Sequence, residues 1–501
     1  MGLTETLERS ESQQGQTHVD VLIVGAGISG IGAAYHLQQQ CPGKSFAILE
    51  TQGGFGGTWR THKYPGIRSD SDLYTFGYRF KPWIGAPIAT SDEIMAYLNE
   101  VIDENDIERH VHFHHQITNA AWSSADKCWT VTATNTSSGE TQQFTTNFLW
   151  MCQGYYSHTD PYTPDWPGMA DFKGQIIHPQ LWPDDADMKG KRAIVIGSGA
   201  TAATVVPAIA DDVEHVTMLQ RSPTYFLPSS NSNELADRLR QIGVEEETVH
   251  HCVRQQINFD MDQLIKRCST EPDVVTAELK EAAMAFLPEG YDFDAHFKPS
   301  YRPWQQRMAF VPEGDLFQAV AKGKASVVTD HIERFTPKGI LLKSGQELEA
   351  DVIITATGFK LSVLGEIAFA VDGKPVDLAD TVTWRGMMFT GMPNLLWVFG
   401  YFRASWTLRV DLLGDFVCKL LNHMEKLGVQ SVVPQMSGEE QKAERRPWME
   451  KENFNPGYLD RSMHLMPKRL EGEIWTHRQE YWAEKDELPK IRLEDEALVF
   501  G

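Results

Sequence analysis

Val19-Asp20-Val21-Leu22-Ile23-Val24-Gly25-Ala26-Gly27-Ile28-Ser29-Gly30 decides the fold. The first six residues are a short, largely β-branched run, the pattern of a strand buried on both faces. The next six read GxGxxG. Ile31 to Gln40 has apolar residues at helical spacing and stops at Pro42-Gly43. Phe46-Ala47-Ile48-Leu49 is a second strand, closed by Glu50. Strand, glycine turn, helix and strand make one βαβ unit. In such a unit Gly25 makes the tight turn, Gly27 lets a pyrophosphate approach the backbone, and Gly30 lets helix and strand pack closely. The helix then points its free N–H groups at the phosphates. Glu50, 20 residues after Gly30, stands where a carboxylate binds ribose hydroxyls.

The same pattern returns further on. Arg192-Ala193-Ile194-Val195-Ile196 is a strand, Gly197-Ser198-Gly199-Ala200-Thr201-Ala202 is a glycine turn with alanine in the third place, and a helix runs from about Ala200 to Ala210. The next strand, His215 to Leu219, ends in Gln220-Arg221-Ser222 rather than in an acid. An acid there would repel a 2′-phosphate, whereas Arg221 can pair with one and Ser222 can hydrogen-bond to it. The first unit therefore suits a dinucleotide with a free 2′-hydroxyl, FAD or NAD, and the second suits NADP.

The rest of the chain fits an α/β protein with two Rossmann-like dinucleotide-binding domains and a helical insertion. We assign 19–155 and 362–501 to an FAD-binding domain and 156–361 to an NADP-binding domain. A polar helical insertion lies at about 232–290, and a surface-wrapping charged tail is expected after Gln435. Strand pieces near 112–117, 129–134 and 144–151 read as a small antiparallel excursion. Residues 1–18 are polar, with no basic start and no apolar core, and are expected to be a disordered tail rather than a signal peptide. No apolar run reaches the ~18–20 residues that span a bilayer.

The chain has 501 residues and a formal charge of −22. That sign argues against a nucleic-acid partner. Its six cysteines include no CxxC pair, which argues against a zinc site or a dithiol centre and suits a reducing cytoplasm. Two dinucleotide sites without a dithiol point to NADPH passing hydride to a bound flavin, which can then react with O2.

Between the two units stands Phe172-Lys173-Gly174-Gln175-Ile176-Ile177-His178-Pro179-Gln180-Leu181-Trp182-Pro183. This FxGxxxHxxxWP run, carried by Phe172, Gly174, His178, Trp182 and Pro183, resembles the fingerprint of Baeyer–Villiger monooxygenases, the class B flavoprotein monooxygenases. Gly56-Gly57-Thr58-Trp59 and Tyr64-Pro65-Gly66-Ile67-Arg68-Ser69-Asp70 resemble the family's flavin loop, and Ala356-Thr357-Gly358 its hinge. Met387-Met388-Phe389, Phe399-Gly400-Tyr401 and Ala404-Ser405-Trp406-Thr407-Leu408 look most like the shorter subgroup typified by the mycobacterial thioamide-prodrug-activating monooxygenase.

The resemblance implies roles. Arg307, a permanently charged cation, would stabilise a C4a-peroxyflavin anion, with Asp70 orienting it. Gly25, Gly27, Ser29, Gly30, Glu50, Gly57, Thr58, Trp59, Tyr64, Asp70 and Ile117 would contact FAD. Gly197 to Ala202, Arg221 and Ser222 would hold NADPH, with Arg68 and Ser69 nearby. His178 would couple the two domains rather than move a proton, and Trp182 would pack. One departure is Gln306, where the family often has a lysine, and another is Arg403 in an aromatic stretch. The implied reaction turns a ketone and O2 into an ester or lactone, or a sulfide into a sulfoxide. An N- or S-hydroxylating flavin monooxygenase, an NADPH:acceptor flavin reductase and a non-enzymatic NADPH-sensing protein remain the alternatives.

Overall fold

A computed structural model describes residues 16–495 and 497–501. The first unit is β1 (Gln16–Val24), α1 (Ile28–Gln40) and β2 (Phe46–Leu49). An antiparallel set follows, β3 (His115–Ser123), β4 (Cys128–Asn135) and β5 (Thr141–Met151). The second unit is β6 (Arg192–Ile196), α2 (Ala200–Ile209) and β7 (His215–Gln220). Helices α3 (Glu234–Gln241), α4 (Glu246–Thr270) and α5 (Pro272–Met284) then form the expected helical stretch. Near the C-terminus stand α6 (Trp406–Leu427) and the short α7 (Gly457–Ser462).

Two sheets organise these elements. In the first, β1 pairs in parallel with β2 on one side and with β5 on the other, and β3, β4 and β5 run antiparallel. The strands Ala368–Val371 and Leu395–Trp397 join it from far along the chain, against β3 and β5 respectively. The second sheet has five parallel strands, in the order Ala325–Thr329, β7, β6, Val352–Thr355, Gln175–Ile177. Parallel strands covered on both faces need apolar residues throughout, and Val21, Leu22 and Ile23 are fully buried, as are Val352, Ile353 and Ile354. Each such side chain contributes roughly 1.5–3 kcal/mol by leaving water.

Helix α1 lies against α6 at close range. A Cβ on Gly414 would stand 2.3 Å from the His36 ring, and the same ring's Nε2 lies 3.3 Å from Asp411 Oδ1. No helix among the described residues is long and apolar enough to cross a membrane.

Three expectations need correction. β1 starts at Gln16, so residues 16–18 belong to a strand paired with Gln143–Thr145 and not to a tail; residues 1–15 lie outside the described residues. The strand expected at 112–117 is two pieces. Val111–His112 stops before His114, whose φ is +62°, and β3 then runs from His115 to Ser123. The segment after Gln435 does not merely wrap the surface. Trp448, Phe454, Leu459, Leu470 and Trp475 are at most 3% exposed, because these apolar residues, diluted among charges in the sequence, turn inward.

Candidate functional site

Each glycine turn is shaped by what surrounds it. Gly25 and Gly197 have φ of +96° and +128°, a region that suits glycine alone. A Cβ on Gly30 would lie 1.9 Å from Gly25 O, so the helix can start this close to the strand only without a side chain. Neither α1 nor α2 has a side-chain N-cap or an acid in its first turn. Their first N–H groups thus remain available to an anion. A Cβ on Gly199 would meet nothing within 4 Å, and Gly27 faces only the backbone of Gly57, 3.6 Å from where its Cβ would be. Both helix ends have the bare approach that a pyrophosphate needs.

Glu50 is buried at the end of β2. Its Oε2 accepts from Ala26 N at 2.7 Å and its Oε1 from Gln52 N at 2.8 Å. Burial raises its pKa and these backbone donors oppose the rise. The carboxylate therefore braces the glycine turn and keeps lone pairs for a ribose. His115 N donates to Glu50 O at 2.8 Å, which sets Ile117 two residues further along β3 on the same side.

The loop after Glu50 joins the two units. Thr58 Oγ1 lies 2.7 Å from Tyr156 Oη, and Trp59 packs edge-on against Phe76. A Cβ on Gly66 would collide with Ala208 of α2 at 2.5 Å. Tyr64, Thr201, His178, Gln180, Gly358 and His62 share one small cavity between the sheets. Burial pushes Tyr64 up to about 12. His62 Nε2 and Gln180 Oε1 are buried there without a hydrogen-bond partner among the described residues. Buried polar atoms of that kind call for a hydrogen-bonding partner.

Asp70 and Arg307 form the expected pair across 237 residues. Nε donates to Oδ2 at 2.5 Å and Nη2 to Oδ1 at 2.8 Å, a bidentate fork. Nη1 donates to Phe402 O at 3.1 Å. Burial works against the guanidinium's charge, but Asp70 outweighs it and holds the pKa above its ordinary value. Arg307 is thus a fixed, partly buried cation.

Not every expected residue gathers here. Arg68 forks onto Asp315 at 2.5 and 3.2 Å, and the Ser69 hydroxyl donates to Ser71 O. The Ser29 hydroxyl accepts from Trp406 Nε1 at 2.8 Å. Ser198 meets Thr224 at 2.9 Å, while Arg221 and Ser222 are exposed just beyond the end of β7. His178 Nδ1 accepts from Gln180 N at 3.1 Å, fixing the turn after the edge strand. Phe172 is buried, and Gly174 leaves no room for a Cβ beside Asp351 O at 2.3 Å. Trp182 is half-buried against the core of the second βαβ unit, and Pro183 follows it. Arg403 is tied to Trp304 O and to Asn453, which makes it a strut rather than a free charge.

Two tyrosines belong to the Arg307 neighbourhood and were not read from the sequence. Tyr155 and Tyr458 are half-buried, desolvation raises their pKa values, and both sense the charges of Arg307 and Asp70. Tyr155 also stacks on Trp406 at 5.2 Å. Only the spatial return of residues 455–461 to the glycine turns brings Tyr458 there.

The chain matches the flavin-binding monooxygenase-like family over residues 87–378, and an NAD(P)-binding Rossmann-like domain over 23–100. It is 45% identical to the FAD-containing monooxygenase EthA of Mycobacterium tuberculosis, over 97% of this chain and 98% of that one. It resembles the solved structure of an oxidized steroid monooxygenase bound to NADP, with TM-score 0.75, 22% identity and coverage of 97% and 99%. It also resembles an ε-caprolactone-bound cyclohexanone monooxygenase, with TM-score 0.75, 18% identity and coverage of 97% and 100%. These last two likenesses bear on the fold.

Proposed function

The chain belongs to the flavin-binding monooxygenase-like family, and on that premise we propose that it is an FAD- and NADPH-dependent monooxygenase that converts ketones to esters or lactones and sulfides to sulfoxides. The observation that carries the reading is the Arg307–Asp70 fork beside the loop that joins the two glycine turns. The first turn and Glu50 would hold FAD, with Thr58, Trp59 and Tyr64 along it. The second turn, Arg221 and Ser222 would hold NADPH. The chemistry the bound flavin supplies is two-electron activation of O2 driven by NADPH, with one oxygen atom going to the substrate and the other to water.

Arg307 has a defined part in this. A guanidinium cannot release a proton near neutral pH, so it stabilises negative charge on a reacting oxygen without quenching it. Asp70 fixes the plane of that guanidinium. An unprotonated oxygen anion is nucleophilic toward a carbonyl, which favours ketones as the principal substrates. Tyr155 and Tyr458, half-buried and neutral, flank the guanidinium and would help to shield the site from water. The ketone reading is also supported by the Trp182-Pro183 ending of the fingerprint and by the lactone in the cyclohexanone monooxygenase structure. Six free cysteines suit work in a reducing cytoplasm.

The test is NADPH oxidation by the FAD-loaded protein in air, with phenylacetone or thioanisole and products identified by mass. An ester and a sulfoxide, each one oxygen heavier, are expected. Arg307→Ala should lower both by about 10²–10³-fold while flavin reduction by NADPH persists. Hydrogen peroxide as the sole product from a panel of ketones and sulfides would mean a flavin reductase, and a protein that takes up no FAD would end the enzyme reading.

A further inference from the structure

Arg461, on α7, reaches across to the second glycine turn. Its guanidinium carbon stands 3.5 Å over the ring of Tyr162. Its Nη2 lies 3.6 Å from where a Cβ on Gly358 would be. Tyr162 is anchored to the same turn, because Thr357 Oγ1 donates to Tyr162 O at 2.6 Å. That turn leaves the strand Val352–Thr355, the immediate neighbour of β6, and Ala356 O lies 2.3 Å from the Cβ position of Gly197. The guanidinium is therefore suspended over the carboxyl ends of the five-stranded sheet, the edge at which dinucleotides bind.

Arg461 forms no ion pair among the described residues, and its neighbour Asp460 is bonded to Lys451. Desolvation first, and then repulsion from Arg221, lowers its pKa, while Tyr162 and Asp460 oppose the fall. Arg221, exposed just past the end of β7, likewise has no ion pair among the described residues. Gln306 is neutral and donates to Asn455, two residues before α7. Two cations that act on each other at the sheet edge, neither in an ion pair among the described residues, in a chain of net charge −22, suit a dianion.

We propose that Arg461 and Arg221 together clamp the 2′-phosphate of NADPH, so that Arg461 is a specificity-determining residue for the nicotinamide cofactor. The proposal rests on the second turn being the NADPH site. It makes the C-terminal segment, distant in sequence from the second βαβ unit, part of the choice between NADPH and NADH.

The experiment is calorimetric titration of the oxidised, FAD-loaded protein with NADP+, NAD+ and 2′,5′-ADP. Wild type should prefer NADP+ to NAD+. Arg461→Ala should weaken NADP+ and 2′,5′-ADP by roughly 10- to 100-fold and leave NAD+ within about twofold. The salt dependence of NADP+ binding should become shallower. Arg461→Gln, which keeps the length of the side chain over Tyr162, should behave like the alanine variant and guards against a loss of folding, which FAD content and Tm report. Unchanged NADP+ binding in both variants would overturn the proposal. So would an equal loss for NADP+ and NAD+, since a contact to the pyrophosphate cannot discriminate. If wild type itself shows no preference for NADP+, the assignment of the second turn fails first, and the proposal with it.

Discussion

Glu50 illustrates how one side chain serves two ends. Its two carboxylate oxygens accept from Ala26 and Gln52, so the group that would bind a ribose is also the brace of the turn beneath the pyrophosphate. Glu50→Gln keeps the size but turns one acceptor into a donor facing a backbone N–H. We expect FAD affinity to fall by about tenfold or more, read by the FAD retained after gel filtration. Equal retention in mutant and wild type would mean that the carboxylate does not contact the ribose. This residue was legible in the sequence because its role is local: it ends the strand after the turn it braces. The Asp70–Arg307 fork was legible only through the family pattern, since nothing in composition or periodicity brings together residues 237 positions apart.

At the scale of elements, the third and the second glycine of such a turn differ in what each must avoid. Gly30 abuts Gly25 O at 1.9 Å from a would-be Cβ, whereas Gly199 has open space. Gly30→Ala should therefore disrupt the start of α1 and leave little folded protein. Gly199→Ala should fold with a Tm within a few degrees of wild type and yet bind NADP+ more weakly, because its methyl group enters only the cofactor's approach. Thermal unfolding paired with NADP+ titration separates the two, and a Gly199→Ala variant that binds normally would sink the assignment of that space to the pyrophosphate. The βαβ units themselves could be read almost to the residue, since β2 and β6 are short buried runs bounded by turn signals. Helix α7 could not. Six residues give too little periodicity to register, yet they carry both Tyr458 and Arg461, three apart, which is the spacing that sets two side chains on one helical face.

At the scale of the molecule, the contact between the two sheets is sealed by neutral imidazoles. Burial first, then the nearby His158 and His178, hold the His62 pKa down to about 4, and burial also lowers His158 and His178. Sequence alone marks His178 but not this cluster, because burial is set by how the two halves meet and not by neighbours in the chain. The consequence for stability has a definite sign. In the unfolded chain a histidine takes up its proton near pH 6.5, whereas His62 in the folded protein resists until about pH 4. The unfolded state therefore binds more protons across that window, so the contribution is complete above about 6.5 and is lost as pH falls through about 4, at ~1.4 kcal/mol per pH unit for each proton taken up only on unfolding. Wild-type Tm should drop between pH 7 and pH 4. His62→Gln, which cannot take up a proton, should have a lower Tm at pH 7 and a shallower decline below pH 6.5. Differential scanning calorimetry of FAD-loaded protein at half-unit steps reads both slopes. Parallel curves for the two proteins would show that His62 contributes nothing to the acid lability and that the loss lies with the other buried histidines, among them His250 on α4 of the helical insertion, which burial also lowers to about 4.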